Sequence, residues 1–194
     1  MPISENKPLT IQSLIATATR TRANNTYPPV ERWQPDYCGE MDLVIRKDGS
    51  WWHEGTQIAR QRLIKLFARI LRKDEDGQTY LVTPAEKIKI KVDYAPFIAI
   101  RLVCEGQGVH QRIAFETNMN DVVVAGPDHG VRVHVCDDQE PEPYIHIRGN
   151  LEALMTRSTF YELVDLAVEG VCQEGRPTLG VWSEGLFFPL GPRP

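Results

Sequence analysis

The sequence predicts an α+β protein built from two related strand–helix–hairpin units with mostly antiparallel sheets. Three observations favour this fold class. Short runs of alternating apolar and polar residues are separated by Gly, Pro, Asn and Asp turns, as in antiparallel sheets. Residues 57–73 and 159–169 carry apolar side chains at helical spacing. A strand–turn–helix pattern returns after one hundred positions, so that Gly49 matches Gly149.

The first 37 residues predict a helical arm and a linker (domain boundary 1–37). Residues 9–20 have apolar positions suited to a short helix, but their Ser and Thr content gives it modest intrinsic propensity. Pro28, Pro29 and Pro35 forbid regular structure in the linker that follows. We therefore expect the arm to be ordered only where it lies against the body of the protein.

The first unit, residues 38–93, is predicted as a hairpin, a helix and a second hairpin. The expected turn of the first hairpin is Lys47-Asp48-Gly49-Ser50, because Asp-Gly suits the positive φ angles of a tight turn. Thr56 is the expected helix N-cap, and residues 57–73 follow as an amphipathic helix. The expected buried stripe of that helix consists of Leu63, Ile64, Phe67, Ile70 and Leu71. Residues 78–92 alternate as a hairpin, with lysines on one face and Ile or Val on the other.

The second unit, residues 94–194, begins with an antiparallel meander and continues with a strand, a helix and a closing hairpin. Thr159 and Glu162 match a capping box at the start of the helix, and Gly170 suits its C-terminal end. Its expected apolar face consists of Phe160, Leu163, Val164 and Ala167. Because the element types repeat, we expect the two halves to superpose with the same strand order.

Composition indicates a cytoplasmic protein without a membrane span. The net charge is −4, so no global attraction to nucleic acid or membrane is expected. No apolar run approaches the roughly 20 residues that a membrane-spanning helix needs, and no signal peptide is recognised. The four cysteines form no Cys-x-x-Cys pair. We predict no catalytic motif, no cofactor and no metal site.

Five segments of the chain resemble one known family. They are CGEMD at 38–42, DGSWWHEG at 48–55, YLVTPAEKIKIKV at 80–92, FETNMNDVVVAGPDH at 115–129 and GVWSEGLFFPLG at 180–191. They are similar to the bacterial domain of unknown function 1285. The resemblance implies two domains with repeated motifs, the second pleckstrin-homology-like. It also implies a ligand site at the domain interface, a role in signal transduction and no established enzymatic activity. Gln57 departs from the family pattern, which often has Pro there.

Two pairs of polar residues keep an enzymatic alternative open, a small hydrolase or transferase. His53 with Glu54, and Asp128 with His129, could act as acid and base if they met in a pocket. Adjacent residues of a strand face opposite ways, however, and both pairs adjoin turns. We therefore favour exposed turn residues as the interpretation of both pairs.

The charge map indicates a basic surface within the acidic chain. Between Arg60 and Lys91 there are nine Lys or Arg residues and four Asp or Glu residues. Such a patch would attract an acidic partner, or nucleic acid through residues 60–73. Nucleic acid is the less favoured ligand because the rest of the chain is acidic. The competing interpretation is a solvated helix face beside a lysine-protected sheet edge.

The leading hypothesis is a non-enzymatic binding module that takes a protein or other acidic ligand at the groove between the units. Aromatic walls and a few directional polar contacts are what such a site needs, although core packing is the commoner use of large aromatics. The candidate binding residues are Trp51, Glu86, Lys87, Lys89, Asn118, Asp121, Asp128, His129 and Trp182.

Overall fold

The computed structural model describes residues 10–13, 15, 27–135, 140–171 and 175–192, about half of which form β-strands. The described part contains two α-helices with both ends in view, helical residues at 11–13 and 15 of the arm, and two short 3-10 turns, at Val30–Arg32 and Gly108–His110. The predicted class is therefore confirmed only in its coarser form, a mostly β protein with few helices and mixed or antiparallel sheets. None of the described helices has the length and apolar character needed to cross a membrane.

The first unit forms one six-stranded sheet. Its elements are β1 (Tyr37–Ile45), β2 (Trp51–His53), β3 (Thr56–Gln57), α1 (Gln61–Arg69), β4 (Leu71–Lys73), β5 (Thr79–Val82) and β6 (Lys87–Val92). The strand order is β3-β2-β1-β6-β5-β4, with only the β1–β6 pair parallel. The β1–β6 register slips twice between Tyr37 and Val44, so β1 bulges as it crosses the sheet.

The second unit forms a six-stranded and a three-stranded sheet. Its elements are β7 (Phe97–Glu105), β8 (Arg112–Thr117), β9 (Val122–Val124), β10 (Val131–Val135), β11 (Pro141–Arg148), β12 (Leu151–Met155), α2 (Arg157–Asp165), β13 (Val168–Val171), β14 (Pro177–Ser183) and β15 (Leu186–Pro192). The strand orders are β10-β11-β12-β7-β8-β9 and β13-β14-β15. Only the β12–β7 pair is parallel.

The element order repeats between the halves, but the sheets assemble differently. A hairpin, a helix and a three-stranded meander occur as β1-β2-α1-β4-β5-β6 and again as β11-β12-α2-β13-β14-β15. In the first half β6 joins β1, whereas in the second half β10 occupies the corresponding edge of β11. The meander β13-β14-β15 therefore forms its own sheet. The expectation of one strand order in both halves is wrong for this reason.

Both helices are shorter than predicted and begin at other residues. Thr56 pairs with His53 in β3, and the N-cap of α1 is Arg60. In α2 the N-cap is Thr156, whose hydroxyl accepts a hydrogen bond from the Thr159 main-chain N–H at 3.2 Å. The residues predicted to end the helices instead lie in β4 and β13. Helical and strand periodicity overlap in short apolar segments, so spacing alone does not separate them.

The buried faces of the helices differ from the predicted stripes. In α1 the buried residues are Ile64 and Ala68, while Leu63 and Phe67 are half-buried. In α2 Leu163 is buried as predicted, but Val164 keeps 38% of its surface exposed. The shift follows from the shorter helices, because the strand that follows each helix fixes its rotation on the core.

A single core joins the two units. Leu43 and Trp51 of the first unit belong to the same buried cluster as Phe97, Phe115 and Leu163 of the second. Burial of this much apolar surface across the boundary is the main force that holds the units together. The relative position of the units is therefore set by packing, and a groove between them has fixed walls.

A tight approach at the first hairpin turn adds to the contact between the units. Gly49 has φ +78°, a left-handed conformation that favours glycine. A Cβ at this position would lie 2.7 Å from Ile98 Cγ1 and 2.9 Å from Asn118 Nδ2. The Asp-Gly turn predicted from the sequence therefore also presses against the second unit.

The described residues of the arm lie against both units, as expected. Ile11 is fully buried in a small cluster with Val103 and Ala114 of the second unit, and its N–H donates to Glu105 Oε1 at 2.7 Å. Val30 packs with Tyr80 of the first unit. The remaining residues of the predicted helix lie outside the described part of the chain.

Candidate binding groove between the two units

A cavity of about 340 Å³ lies where the first hairpin turn of the first unit meets β11, β12 and α2 of the second. Lys47 is its contribution from the first unit. The walls from the second unit include Glu142, Leu154, Met155, Phe160 and Tyr161. Its volume falls in the range of ligand pockets, about 300–1,000 Å³, and its lining combines apolar side chains with a few charged groups.

A larger cavity, about 620 Å³, lies within the first sheet where β1 and β6 bulge apart. It is lined by strand backbone and by charged side chains such as Glu40 and Lys89, which already pair at 2.8 Å. Of these two cavities in the described part of the chain, the smaller groove is the one that both units bound and that aromatic side chains line. We therefore take the groove between the units as the candidate site.

The base of the groove holds a buried carboxylate. Glu142 has only 8% of its surface exposed. Its Oε2 atom accepts a hydrogen bond from the Tyr144 hydroxyl at 2.9 Å, while Oε1 lies 3.5 Å from Lys47 Nζ. Glu142 and Tyr144 are two residues apart on β11, so their side chains share one face of the strand. Strand geometry therefore aims the carboxylate at the groove.

The groups around this carboxylate have altered proton affinities. Burial disfavours the charged amine of Lys47, but the neighbouring Tyr94 and Glu142 outweigh burial, and the pKa of Lys47 is raised. The Lys47 ammonium also lies 4.0 Å from the Tyr94 ring centre. Burial and the Glu142 carboxylate both raise the pKa of the Tyr144 hydroxyl. Tyr144 therefore stays a hydrogen-bond donor to Glu142 at neutral pH.

The helix α2 supplies the outer wall. Arg157, at its first position, pairs with Glu140 at 3.0 Å, with 79% of the Arg157 side chain exposed. Tyr161 is 64% exposed, and Val164 lies one helical turn further on. Val168 follows in β13 and is 44% exposed. We call Tyr161, Val164 and Val168 the outer stripe, because these exposed apolar residues extend the apolar surface beyond the groove.

The two polar pairs of the enzymatic alternative lie in different units. His53 ends β2 in the first sheet, with Nδ1 2.8 Å from the Asp42 carbonyl oxygen, and Glu54 lies in the following turn. Asp128 and His129 lie between β9 and β10 in the second unit. His129 Nδ1 is 3.0 Å from the His146 carbonyl oxygen. One ring nitrogen of each histidine is thus hydrogen-bonded to a main-chain carbonyl oxygen.

Four of the predicted binding residues belong to the first unit and do not meet in the groove. Trp51 is fully buried and stacks on Phe67, with ring centres 6.3 Å apart, so its assignment as a wall of a site is corrected to core packing. Glu86 is exposed in the β5–β6 turn. Lys87 and Lys89 bind Asp74 and Glu40 at 2.9 and 2.8 Å.

The other five lie in the second unit, also outside the groove. The turn between β8 and β9 holds Asn118, which accepts the Ile98 N–H at 3.1 Å, and Asp121, which is 2% exposed and accepts from the Tyr27 hydroxyl. Asp128 accepts from His146 through its carbonyl, at 2.7 Å. His129 stacks on His146, with ring centres 5.7 Å apart. Trp182 packs on Phe187 beside a separate shallow cavity.

The predicted basic surface is partly neutralised by ion pairs. Arg72 is buried and binds Asp74 through Nε at 2.6 Å. The same carboxylate binds Lys87. Burial raises the pKa of Asp74, but the hydrogen bonds and charges of Arg72 and Lys87 outweigh burial, so this pKa is lowered. Lys91 lies 3.8 Å from Asp93. These pairs reduce the local field that the sequence count indicates.

The sequence does not single out the residues that line the groove. It predicts Lys47 in a turn, Glu142 in an acidic, proline-broken loop at 137–143 and Phe160 in the core. The available signal was a single glutamate between two prolines, Pro141 and Pro143, followed by an alternating strand. That pattern predicts a strand with Glu142 on the face of Tyr144, but nothing in it identifies the opposing unit.

The chain matches two family models over most of its length. The domain of unknown function (DUF1285), N-terminal domain, matches residues 28–95, and the protein of unknown function (DUF1285), C-terminal domain, matches residues 96–190. A search of curated proteins gave no significant match.

Two solved structures are similar to the chain. The crystal structure of a DUF1285 family protein from Silicibacter pomeroyi DSS-3 is 41% identical, with a TM-score of 0.79, over 92% of this chain and 94% of that chain. The crystal structure of a DUF1285 family protein from Shewanella baltica OS155 is 25% identical, with a TM-score of 0.50, over 64% of this chain and 91% of that one. The protein described here therefore belongs to the DUF1285 family, whose domains carry no assigned function.

Proposed function

We propose that the protein is a non-enzymatic binding module that takes a segment of a partner protein in the groove between its two units. The observation that carries the proposal is the position of the groove. The walls of the groove come from both units, and the exposed Tyr161 belongs both to the groove and to the outer stripe. Because a common core fixes the units, the site is preformed and its occupation costs little ordering entropy.

A protein segment fits this surface better than a small molecule does. A small ligand would fill the cavity and leave the outer stripe exposed to water. Contiguous exposed apolar surface on a monomer is typical of an interaction site. Aromatic side chains such as Tyr161 are also enriched among residues that dominate binding energy.

The two alternatives have weaker support. Nucleic acid would need free cations, and several cations of the basic surface are engaged with Asp74, Glu40 and Asp93. Catalysis would need an acid and a base that converge, and the two candidate pairs belong to different units. A cytoplasmic location, a role in signalling and a pleckstrin-homology-like second unit remain parts of the proposal that come from the sequence.

Site-specific photocrosslinking tests the proposal. A photoreactive phenylalanine analogue would replace Tyr161, and in a matched control it would replace Tyr37, which is 54% exposed on β1 of the first sheet. We expect a protein to be crosslinked from a lysate of the source cells at position 161 and not at position 37. The purified protein so identified should then bind the wild-type chain and lose affinity for Tyr161→Ala. Equal crosslinking at both positions would contradict the proposal.

A further inference from the structure

We infer that the ligand of the groove is anchored by a cationic group, an ammonium or guanidinium, that binds the carboxylate of Glu142, with an apolar neighbour against Phe160 and Tyr161. This inference rests on the proposed function and gives the chemical class of the ligand. The basic surface predicted an acidic ligand, whereas the groove calls for a cationic one, because the groove is a different part of the molecule with its own charges.

The carboxylate of Glu142 can accept more hydrogen bonds than it receives within the protein. An ionised carboxylate can accept about four hydrogen bonds. Glu142 Oε2 is used by Tyr144, but Oε1 has Lys47 Nζ at 3.5 Å, beyond the usual hydrogen-bond range of about 2.7–3.2 Å. Glu142 lines the cavity, so a donor that enters the groove can approach Oε1 more closely than Lys47 does.

The charges that line the groove are balanced in number but not in exposure to water. Two cations, Lys47 and Arg157, and two anions, Glu140 and Glu142, line it. The side chains of Lys47 and Arg157 are 52% and 79% exposed, so water and salt screen them. Glu142 is buried, and its charge acts through a less polar medium. The field at the base of the groove is therefore set by the carboxylate.

Another cation of the second unit, Arg132, is bound to a different carboxylate. Arg132 lies 4.3 Å from the centre of the Tyr144 ring and could compete for Glu142. Its guanidinium instead binds Glu152 with two hydrogen bonds of 2.6 Å. This bidentate pair holds the guanidinium of Arg132 on Glu152 of β12. Glu142 thus keeps its capacity for a group that arrives from the groove.

Much of the groove wall is apolar or aromatic. Phe160, the exposed Tyr161, Leu154 and Met155 line the groove together with the carboxylate of Glu142. Aromatic faces attract cations and also pack on apolar groups. A lysine or arginine side chain next to an aromatic or aliphatic residue presents both kinds of group, so a short basic–apolar peptide segment matches the groove.

A matched pair of small probes tests the inference on the full-length protein. The probes are 3-phenylpropylamine and 3-phenylpropionate, which share one apolar body and carry opposite charges. Binding would be followed by two-dimensional NMR of the ¹⁵N-labelled chain. We expect the amine to shift amide signals of residues 154–161 and the carboxylate to leave them unchanged.

Two substitutions make the test specific to Glu142. Glu142→Gln should weaken amine binding about tenfold, because a charge-assisted hydrogen bond is lost, while the exposed turn variant Glu86→Gln should leave it unchanged. Lys47→Met should strengthen amine binding several-fold, because the competing cation is removed. Lys47→Met keeps the test valid if Glu142→Gln fails to fold.

The outcomes separate the two proposals. Stronger binding of 3-phenylpropionate than of the amine in the groove would overturn the cationic anchor and leave the groove as a binding site. Amine binding that is unaffected by both substitutions would also overturn the anchor. Absence of any shift from either probe, together with no crosslinked partner at position 161, would overturn the proposed function as well.

Discussion

The guanidinium of Arg148 in the second unit donates a hydrogen bond of 2.7 Å to the main-chain carbonyl oxygen of Ala68 in the first. A second hydrogen bond of 3.1 Å reaches the carbonyl of Leu71. Ala68 belongs to the last turn of α1, whose carbonyls have no partner within the helix. Arg148 therefore satisfies the end of a helix in the opposite unit and places a positive charge at its negative pole.

Removal of this guanidinium should destabilise the whole protein. We expect Arg148→Met to lower the free energy of unfolding by about 2–4 kcal/mol, because buried carbonyls lose charged donors. Urea unfolding would measure the loss. Arg112→Met is the control, since Arg112 makes a surface ion pair with Glu184, with side chains 45% and 37% exposed, and its loss should cost no more than about 1 kcal/mol. Equal losses in the free energy of unfolding for the two variants would contradict a stabilising role of Arg148 at the end of α1.

The approach of Gly49 to the second unit predicts a second effect. Gly49→Ala should destabilise by about 2–4 kcal/mol, because the methyl group meets Ile98 and the left-handed backbone is strained. Gly55→Ala is the matched control: its φ is +72°, but a Cβ there has no atom within 4 Å. The control should show only the strain of about 1 kcal/mol. Thermal and urea unfolding of both variants would separate clash from strain.

The rotation of α1 can be checked with two truncations. Ile64 is 4% exposed and Leu66 is 55% exposed on the same helix. Ile64→Ala should cost about 2–4 kcal/mol through lost burial and a cavity. Leu66→Ala should stay within about 0.5 kcal/mol of wild type. The opposite order in urea unfolding would show that the helix packs with a different face.

Asp74 predicts part of the acid sensitivity. Burial raises its pKa, but the hydrogen bonds from Arg72 and Lys87 outweigh burial, so the folded pKa lies below the unfolded value of 3.8. A lowered pKa contributes stability above the unfolded value, and this contribution is lost as the pH falls from about 4 downward. Asp74→Asn should therefore destabilise at pH 7 and flatten the decline between about pH 5 and pH 2.

Urea unfolding at several pH values would measure this effect. Glu75→Gln, a substitution of the adjacent exposed carboxylate, serves as the control. An unchanged pH profile in Asp74→Asn would contradict the role of this ion pair.

Nucleic-acid binding should be weak. The net charge is −4, and the basic surface is partly neutralised by its own ion pairs. We expect purified protein to bind DNA or RNA no more tightly than non-specific proteins do, with a Kd of about 10⁻⁴–10⁻⁶ M at physiological salt. Fluorescence anisotropy at two salt concentrations would measure it. Tight, salt-sensitive binding that Arg62→Glu weakens would restore the basic helix as a functional site.

Local features of the protein followed from the sequence. The Asp-Gly turn at Gly49, the alternating strand at residues 87–92 and a repeated order of strand, helix and hairpin were predicted correctly in kind, because turn preference and side-chain periodicity act over a few residues. Helix limits were less well predicted, since Thr56 fits a helix start as well as a strand. The family resemblance was also readable from the sequence, and the family models confirm it.

Only the tertiary structure decided where the candidate site lies. Lys47 and Glu142 meet across 95 positions of sequence, and Arg148 reaches Ala68 across 80. Trp51 is buried in the cluster that both units share, where it stacks on Phe67, and its strand pattern does not encode this packing. Such contacts depend on how the two units pack on their shared core, a sum of many weak apolar contacts with no sequence period. Local periodicity thus determined the elements of this protein, and long-range packing determined its groove.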